Sequence, residues 1–386
     1  MDIREKDQKY IAHTYGRVPL TLSGGHGSYV TDDAGKEYID LGSGIAVNTF
    51  GVADPGWVQA VTAQLSRLQH TSNYYYTEPM ARLAELLCEK TGMSRVFFSN
   101  SGAEANECAI KAARKYSFDR YGEGRKKIIT LKDSFHGRTV TTLSATGQDS
   151  LHNYFAPFTE GFAYVQAGDR EALAAEADDS CCAIMMELIQ GEGGVNVLDA
   201  DFVRYAVELA RERDILILAD EVQTGNGRTG KLYAWMHYGF QPDIFTTAKG
   251  LAGGLPLGAT VFSEKTKDVL TPGSHGSTFG GNPVCAAGAV YVMEHLDDAL
   301  LQEVKEKGDY VRKSLAGLSG VTEVTGMGLM IGVGLAKNLA EAVEACRQKG
   351  VLVLTAHDRM RLLPPLNIPF PVLREGIERI KEVIGE

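Results

Sequence analysis

Short apolar runs, each ending on a polar, charged or glycine-rich turn, recur from about residue 95 to residue 260, and helical stretches separate them. The spacing predicts strands over residues 95–98, 127–131, 182–188, 215–219 and 244–248. It predicts helices over residues 58–68, 103–116 and 200–213. Parallel strands need a crossover of a dozen or more residues, usually a helix. This alternation therefore predicts an α/β fold with a mostly parallel central sheet covered by helices. The pattern changes after Asn282: a long helix, hairpin-like strands over residues 321–333, then a closing helix near residues 372–384. That sequence suits a smaller α+β domain. The expected division is an N-terminal segment, 1–44, packing with the small domain, a large domain, 45–280, and the small domain itself, 281–386.

Several function classes are disfavoured. The formal net charge is −10, whereas a nucleic-acid binder usually carries a basic stripe. The N-terminal MDIREKDQKY places charges where a signal peptide would be apolar. No apolar run is long enough to span a membrane. The six cysteines, Cys88, Cys108, Cys181, Cys182, Cys285 and Cys346, form no C-x-x-C pair. Such scattered thiols suit a reducing cytoplasm better than a disulfide framework. No H-E-x-x-H pair exists, so no metal site is expected.

In an open α/β sheet, ligands sit beyond the carboxyl ends of the strands. The residues just past each predicted strand are therefore the informative ones. Ser101-Gly102-Ala103-Glu104 opens a helix with a capping-box pattern, and a helix N-terminus can hold a phosphate. A plain capped helix explains that pattern equally well. Asp220 and Lys249 end two apolar strands, and neither ion is buried without a partner. They could form a structural salt bridge with each other. The glycines after Lys249 favour a second reading, in which the lysine holds a carbonyl cofactor as a Schiff base and the acid serves another atom of it. Phe135 and Arg138 suit a planar ring and a carboxylate, although core packing and a surface ion pair are the ordinary explanations. Glu192 stands among the glycines of Gln190-Gly191-Glu192-Gly193-Gly194.

The stretch Gly225-Asn226-Gly227-Arg228-Thr229-Gly230 matches G-x-G-x-x-G, and with Lys231 it matches G-x-x-x-x-G-K. Five residues separate it from the strand, where a dinucleotide turn would be immediate. Leu232 stands where a P-loop needs Ser or Thr. This loop is expected to have the least part in holding phosphate.

Taken together and in order, the strand-end motifs resemble class III pyridoxal-phosphate aminotransferases, nearest the acetylornithine aminotransferase branch. The matching stretches are FSNSGAEANE from Phe98, SFHGRT from Ser134, IQGEGG from Ile189, ADEVQTG from Ala219, TAKGL from Thr247, GSTFGGNP from Gly276 and RLLPPL from Arg361. The resemblance implies a fold-type I transferase, pyridoxal 5'-phosphate as cofactor, and a homodimer. It implies Lys249 as the Schiff-base lysine and Asp220 as partner of the pyridine nitrogen. Gln223 would meet the ring oxygen and Phe135 the ring face. Ser101, Gly102 and Ala103 would hold the phosphate, joined by Thr278 from the partner subunit. Glu187 would stand behind the site.

The same resemblance implies an ω-amine donor such as N-acetylornithine and 2-oxoglutarate as acceptor. Arg138, assisted by Tyr15, would bind the distant carboxylate of the donor, and Ser277 would join the substrate pocket. Arg361 would bind the near carboxylate of the acceptor, and Glu192 would pair with Arg361 during the amine half-reaction. Arg359 competes for the role of Arg361. Ornithine, succinylornithine and 4-aminobutyrate are alternative donors. A nucleotide-dependent enzyme built on residues 225–231 is the alternative of another class. The family's Gly-His-x-His-Pro is replaced here by Gly51-Val52-Ala53-Asp54-Pro55, which lacks both histidines, and the usual proline before Ile189 is Leu188.

Overall fold

The computed structural model describes residues 1–385. Its centre is a seven-stranded sheet in the order Arg95–Ser99, Gly258–Phe262, Ile244–Thr247, Leu216–Asp220, Cys181–Met186, Lys127–Leu131, Phe162–Val165. The last five of these run parallel. Gly258–Phe262 is antiparallel to both its neighbours. Six strands therefore point one way, and their carboxyl ends share one edge. Cys181–Met186 and Leu216–Asp220 are buried along their whole length, as expected for central strands covered on both faces.

The helix Gly102–Tyr121 lies against this sheet. Its buried face is built from Ala105, Cys108, Ala109, Ala112 and Ala113, with Ile110 and Tyr116. Small side chains let the helix approach closely, and Thr260 Oγ1 donates directly to the Ala105 carbonyl at 2.8 Å. The helix Ala200–Glu212 starts on Asp199, whose carboxylate accepts from Phe202 N, and buries Phe202, Val203, Ala206, Val207 and Ala210 at helical spacing.

Two strands of this sheet are not evident from local sequence pattern. Phe162–Val165 is an edge strand, half-covered over most of its length. Gly258–Phe262 reads GATVF, a short run whose antiparallel insertion depends on partners far along the chain. The predicted helix at 58–68 is shifted: it spans Pro55–Leu65, capped by Asp54 with proline in its first turn.

A second sheet orders Val321–Met327, Met330–Leu335, Arg359–Leu362 and Leu354–Ala356, all antiparallel. Gly332 stands opposite Arg361 in it. A Cβ at Gly332 would lie 3.0 Å from the Val195 side chain and 3.1 Å from the Gly194 carbonyl. The missing side chain lets the turn at residues 191–195 rest on this sheet beside Arg361. The N-terminal strands Leu22–His26, Tyr29–Asp32 and Glu37–Asp40 form a meander, and Val351–Leu352 adds to it in parallel. No helix among the described residues is long and apolar enough to cross a membrane.

Candidate active site

Asp220 closes its strand with 4% exposure. Its Oδ2 accepts from Asn106 Nδ2 and His136 Nδ1, both at 2.8 Å, and its Oδ1 accepts from Val222 N at 3.1 Å. Asn106 is fixed in turn: it donates to the His136 carbonyl at 2.7 Å and accepts from Thr246 Oγ1 at 2.6 Å. An ionised carboxylate only accepts, so the His136 proton in this bond is on Nδ1. Three donors hold the buried acid in one orientation. The salt bridge between Asp220 and Lys249 that the sequence allows is not formed; the imidazole of His136 meets Asp220 instead.

Glu187 lies just behind. It accepts from Phe135 N at 2.8 Å and Gly191 N at 3.1 Å, tying together the two turns that carry Phe135 and Glu192. Burial pushes its pKa up to about 7, and the nearby Asp220 adds to that against the opposing pull of His136.

Lys249 follows the strand Ile244–Thr247 and has a positive φ of 44°. Burial lowers its ammonium pKa; Arg361 adds to the effect, while Glu192 and Asp220 oppose it. The amine therefore loses its proton more readily than a surface lysine.

Arg361, 3% exposed, comes from the strand Arg359–Leu362. Its Nη1 donates to Glu192 Oε1 at 2.6 Å and Gln223 Oε1 at 3.0 Å, and its Nη2 to Glu192 Oε2 at 3.2 Å. Gln223 Nε2 closes the triangle on Glu192 Oε1 at 3.3 Å. Burial works against the Glu192 carboxylate, but Arg361 outweighs it and holds the pKa below the usual glutamate value. Arg359 faces elsewhere, onto Glu323, Asn196, Thr325 and the Gly194 carbonyl.

At the helix start, Ser101 Oγ accepts from Glu104 N at 3.2 Å. The capping box expected there is incomplete. Glu104 reaches past Ser101 and accepts from Asn100 N instead, and among the described residues no capping bond falls to the N–H groups of Gly102 and Ala103, which lack intrahelical partners. Phe135 lies under Arg138, whose guanidinium is 5.5 Å from the ring centroid; Arg138 itself is exposed.

Asp220, Gln223, Glu187, Glu192, Arg361 and Lys249 are thus brought into one electrostatic group. Other expected residues are not. Ser277 and Thr278 line a cleft with Phe97, Ser99, Asn100 and Glu104, where Ser277 Oγ accepts from Asn100 Nδ2 at 3.2 Å. Tyr15 is 74% exposed and lines an N-terminal cleft with Arg4, Asp7 and Arg17. Sequence reasoning missed His136 and Asn106. The usable signal was Asp220 itself, since a buried acid requires donors.

The family model described as Aminotransferase class-III matches residues 10–384. The chain belongs to that family. An acetylornithine aminotransferase from Haemophilus ducreyi is 50% identical over 387 residues, covering 100% of this chain and 98% of the relative. Among solved structures, an ornithine aminotransferase from Toxoplasma gondii, with partial pyridoxal phosphate occupancy at its active site, superposes with a TM-score of 0.93 at 34% identity. It covers 99% of this chain and 93% of its own. An acetylornithine aminotransferase from Elizabethkingia anophelis gives 0.88 at 34% identity, covering 99% and 98%. The chain is therefore a transaminase of fold-type I architecture. The nucleotide-binding alternative is set aside. Residues 225–230 are buried, and a Cβ at Gly227 would meet the side chains of Leu296, Leu366 and Leu301 at 3.0–3.1 Å.

Proposed function

We propose that the chain uses pyridoxal 5'-phosphate to move the terminal amino group of N-acetylornithine to 2-oxoglutarate, giving N-acetylglutamate semialdehyde and glutamate. The observation that carries this reading is the bidentate Glu192–Arg361 pair beside Lys249. It offers one site that can be neutral toward a terminal amine and cationic toward a 2-oxo acid. The names of the relatives support the donor.

The residues present fit the coenzyme. Pyridoxal phosphate supplies an aldehyde for amine exchange and a ring that takes up electrons. Asp220, held by His136 and Asn106, is the anion that keeps a pyridine nitrogen protonated. Gln223 would donate to the ring oxygen, and Phe135 would cover a ring face. Free N–H groups at Ser101, Gly102 and Ala103 would receive the phosphate at the helix N-terminus. Lys249 Nζ holds the coenzyme and then carries the proton that must move. Its lowered pKa keeps a larger neutral fraction available for both tasks.

Arg138, with Tyr15, takes the far carboxylate of the donor. Arg361 takes the carboxylate next to the reacting carbon of 2-oxoglutarate once Glu192 releases it. Thr278 reaches the coenzyme of the other subunit in a homodimer, and Ser277 joins the substrate pocket. The enzyme works in the cytoplasm.

Ornithine is the second reading, favoured by the T. gondii neighbour. A donor panel with 2-oxoglutarate decides between them. Purified protein should be yellow, and Lys249→Ala should lose that band. Absence of the band in the parent protein as well would overturn the coenzyme assignment.

A further inference from the structure

The G-x-G-x-x-G loop holds no phosphate in this reading, yet it is closely braced. Asn226 is 3% exposed and adopts φ 56°, a left-handed conformation that asparagine tolerates better than most residues. Its side chain faces the end of the strand that carries Lys249. Asn226 Nδ2 donates to Thr247 Oγ1 and to the Ala248 carbonyl, each at 3.0 Å. Asn226 Oδ1 receives the hydroxyls of Tyr233 and Thr247 at 3.4 Å. A carbonyl can only accept, so this orientation of the amide is the one that serves Ala248.

The other side of Lys249 is held as well. Thr49 Oγ1 donates to the Gly250 carbonyl at 2.6 Å. A Cβ at Gly250 would lie 2.7 Å from that hydroxyl and 3.6 Å from Asn226 Cβ. The peptide carbonyls of the residues immediately before and after Lys249 are thus each fixed by a buried side chain. Between them Lys249 keeps a φ of 44°, a region unfavourable for a side chain of this kind. Without such restraints the backbone would relax and swing the lysine stem.

The loop is itself anchored. Glu221, fully buried, accepts from Thr224 Oγ1, Ala234 N and Trp235 N at 2.6, 2.9 and 2.8 Å, closing the loop at its root. Arg228 donates to the carbonyls of Leu329 and Pro364, fixing the loop's far side to the sheet that carries Arg361.

We propose that Asn226, with Thr49, is a positioning residue for Lys249: the two side chains clamp its flanking carbonyls and so aim the lysine amine at the coenzyme aldehyde. This rests on the coenzyme reading above. The test uses enzyme stripped of coenzyme and given pyridoxal 5'-phosphate, with the rise of the yellow lysine-bound band followed in time. In Asn226→Asp the shape is kept but the Ala248 carbonyl loses its side-chain donor and keeps only Leu251 N, at 2.9 Å. The expected result is a band that forms about tenfold more slowly, the cost of one buried hydrogen bond. The pH at which the band is half lost should shift too, while the KM for 2-oxoglutarate stays within twofold of parent. Thr49→Val should act in the same direction from the other side, and it decides the matter if Asn226→Asp does not fold. Parental rates and parental pH midpoints in the folded variants overturn the proposal. A parent protein with no band at all overturns the coenzyme reading instead.

Discussion

Replacing Glu192 by glutamine tests how the site tells its two substrates apart. In the parent, both oxygens of Glu192 engage Arg361, at 2.6 and 3.2 Å, and the arginine is 3% exposed. On the proposed reading, a substrate that brings a carboxylate next to its reacting carbon must displace Glu192. A terminal-amine donor need not, since its reacting carbon is a CH2. Hydrogen bonds to charged groups contribute about 1.5–3 kcal/mol each. The Glu192 side chain retains 29% exposure, which places the net strength of the pair near the low end, about 2 kcal/mol. Glutamine keeps the shape and one acceptor but surrenders the charge, so most of that figure becomes available to an incoming α-carboxylate. At 1.4 kcal/mol per decade, kcat/KM for glutamate should rise about tenfold relative to kcat/KM for N-acetylornithine. The assay is steady-state kinetics with each donor on enzyme whose melting temperature confirms folding. The Glu192 pKa lies below its ordinary value, so the pair is complete above the unfolded-state glutamate pKa. It is lost as pH falls through the lower folded value. The parent ratio should therefore be flat across neutral pH. A variant with an unchanged donor ratio would refute the switch.

Other perturbations read other parts of the structure. Asp220→Asn keeps the geometry against Asn106 and His136 but removes the charge, and kcat should fall at least about a hundredfold; a loss under tenfold would dissociate Asp220 from the reaction. Lys249→Ala should abolish both the yellow band and turnover, with the melting temperature near that of the coenzyme-free parent. Glu221 is fully buried, and burial pushes its pKa from 4.5 to about 7. A folded-state value above the unfolded one means that the protonated acid favours folding. This contribution is full below pH 4.5 and is lost as pH rises to about 7, for a total of roughly 3 kcal/mol. Glu221→Gln cannot titrate, so denaturant titrations between those pH values should show roughly half the decline of the parent; an unchanged slope would place the titration elsewhere. Glu187, also at about 7, should supply the slope that remains.

Asp220 and Lys249 are legible in the sequence because each interrupts an apolar strand, and an ion at such a place needs a purpose whatever the tertiary structure. The central rhythm of strands and helices is legible for a similar reason: hydrophobic spacing is local. His136 and Asn106 are not. They meet Asp220 from 84 and 114 residues away in sequence, and nothing in their own neighbourhoods distinguishes them from other polar residues of a strand-end turn or a helix. Gly258–Phe262 escapes notice for the same cause, since its place between Arg95–Ser99 and Ile244–Thr247 is a long-range pairing. Residues 225–230 are the sharper lesson. Their glycine pattern imitates a phosphate cradle, and the residues are indeed crowded. At Gly225 a Cβ would fall 2.8 Å from the Tyr233 ring, and at Gly227 3.0 Å from Leu296. Glycine reports that something comes close to the backbone; it does not say whether that neighbour is a ligand or the protein itself. Here the neighbour is the protein, and the tight fit is what brings the Asn226 amide to the Ala248 carbonyl. A motif that fails as a binding loop can therefore still serve the reaction, by holding the residue next in line.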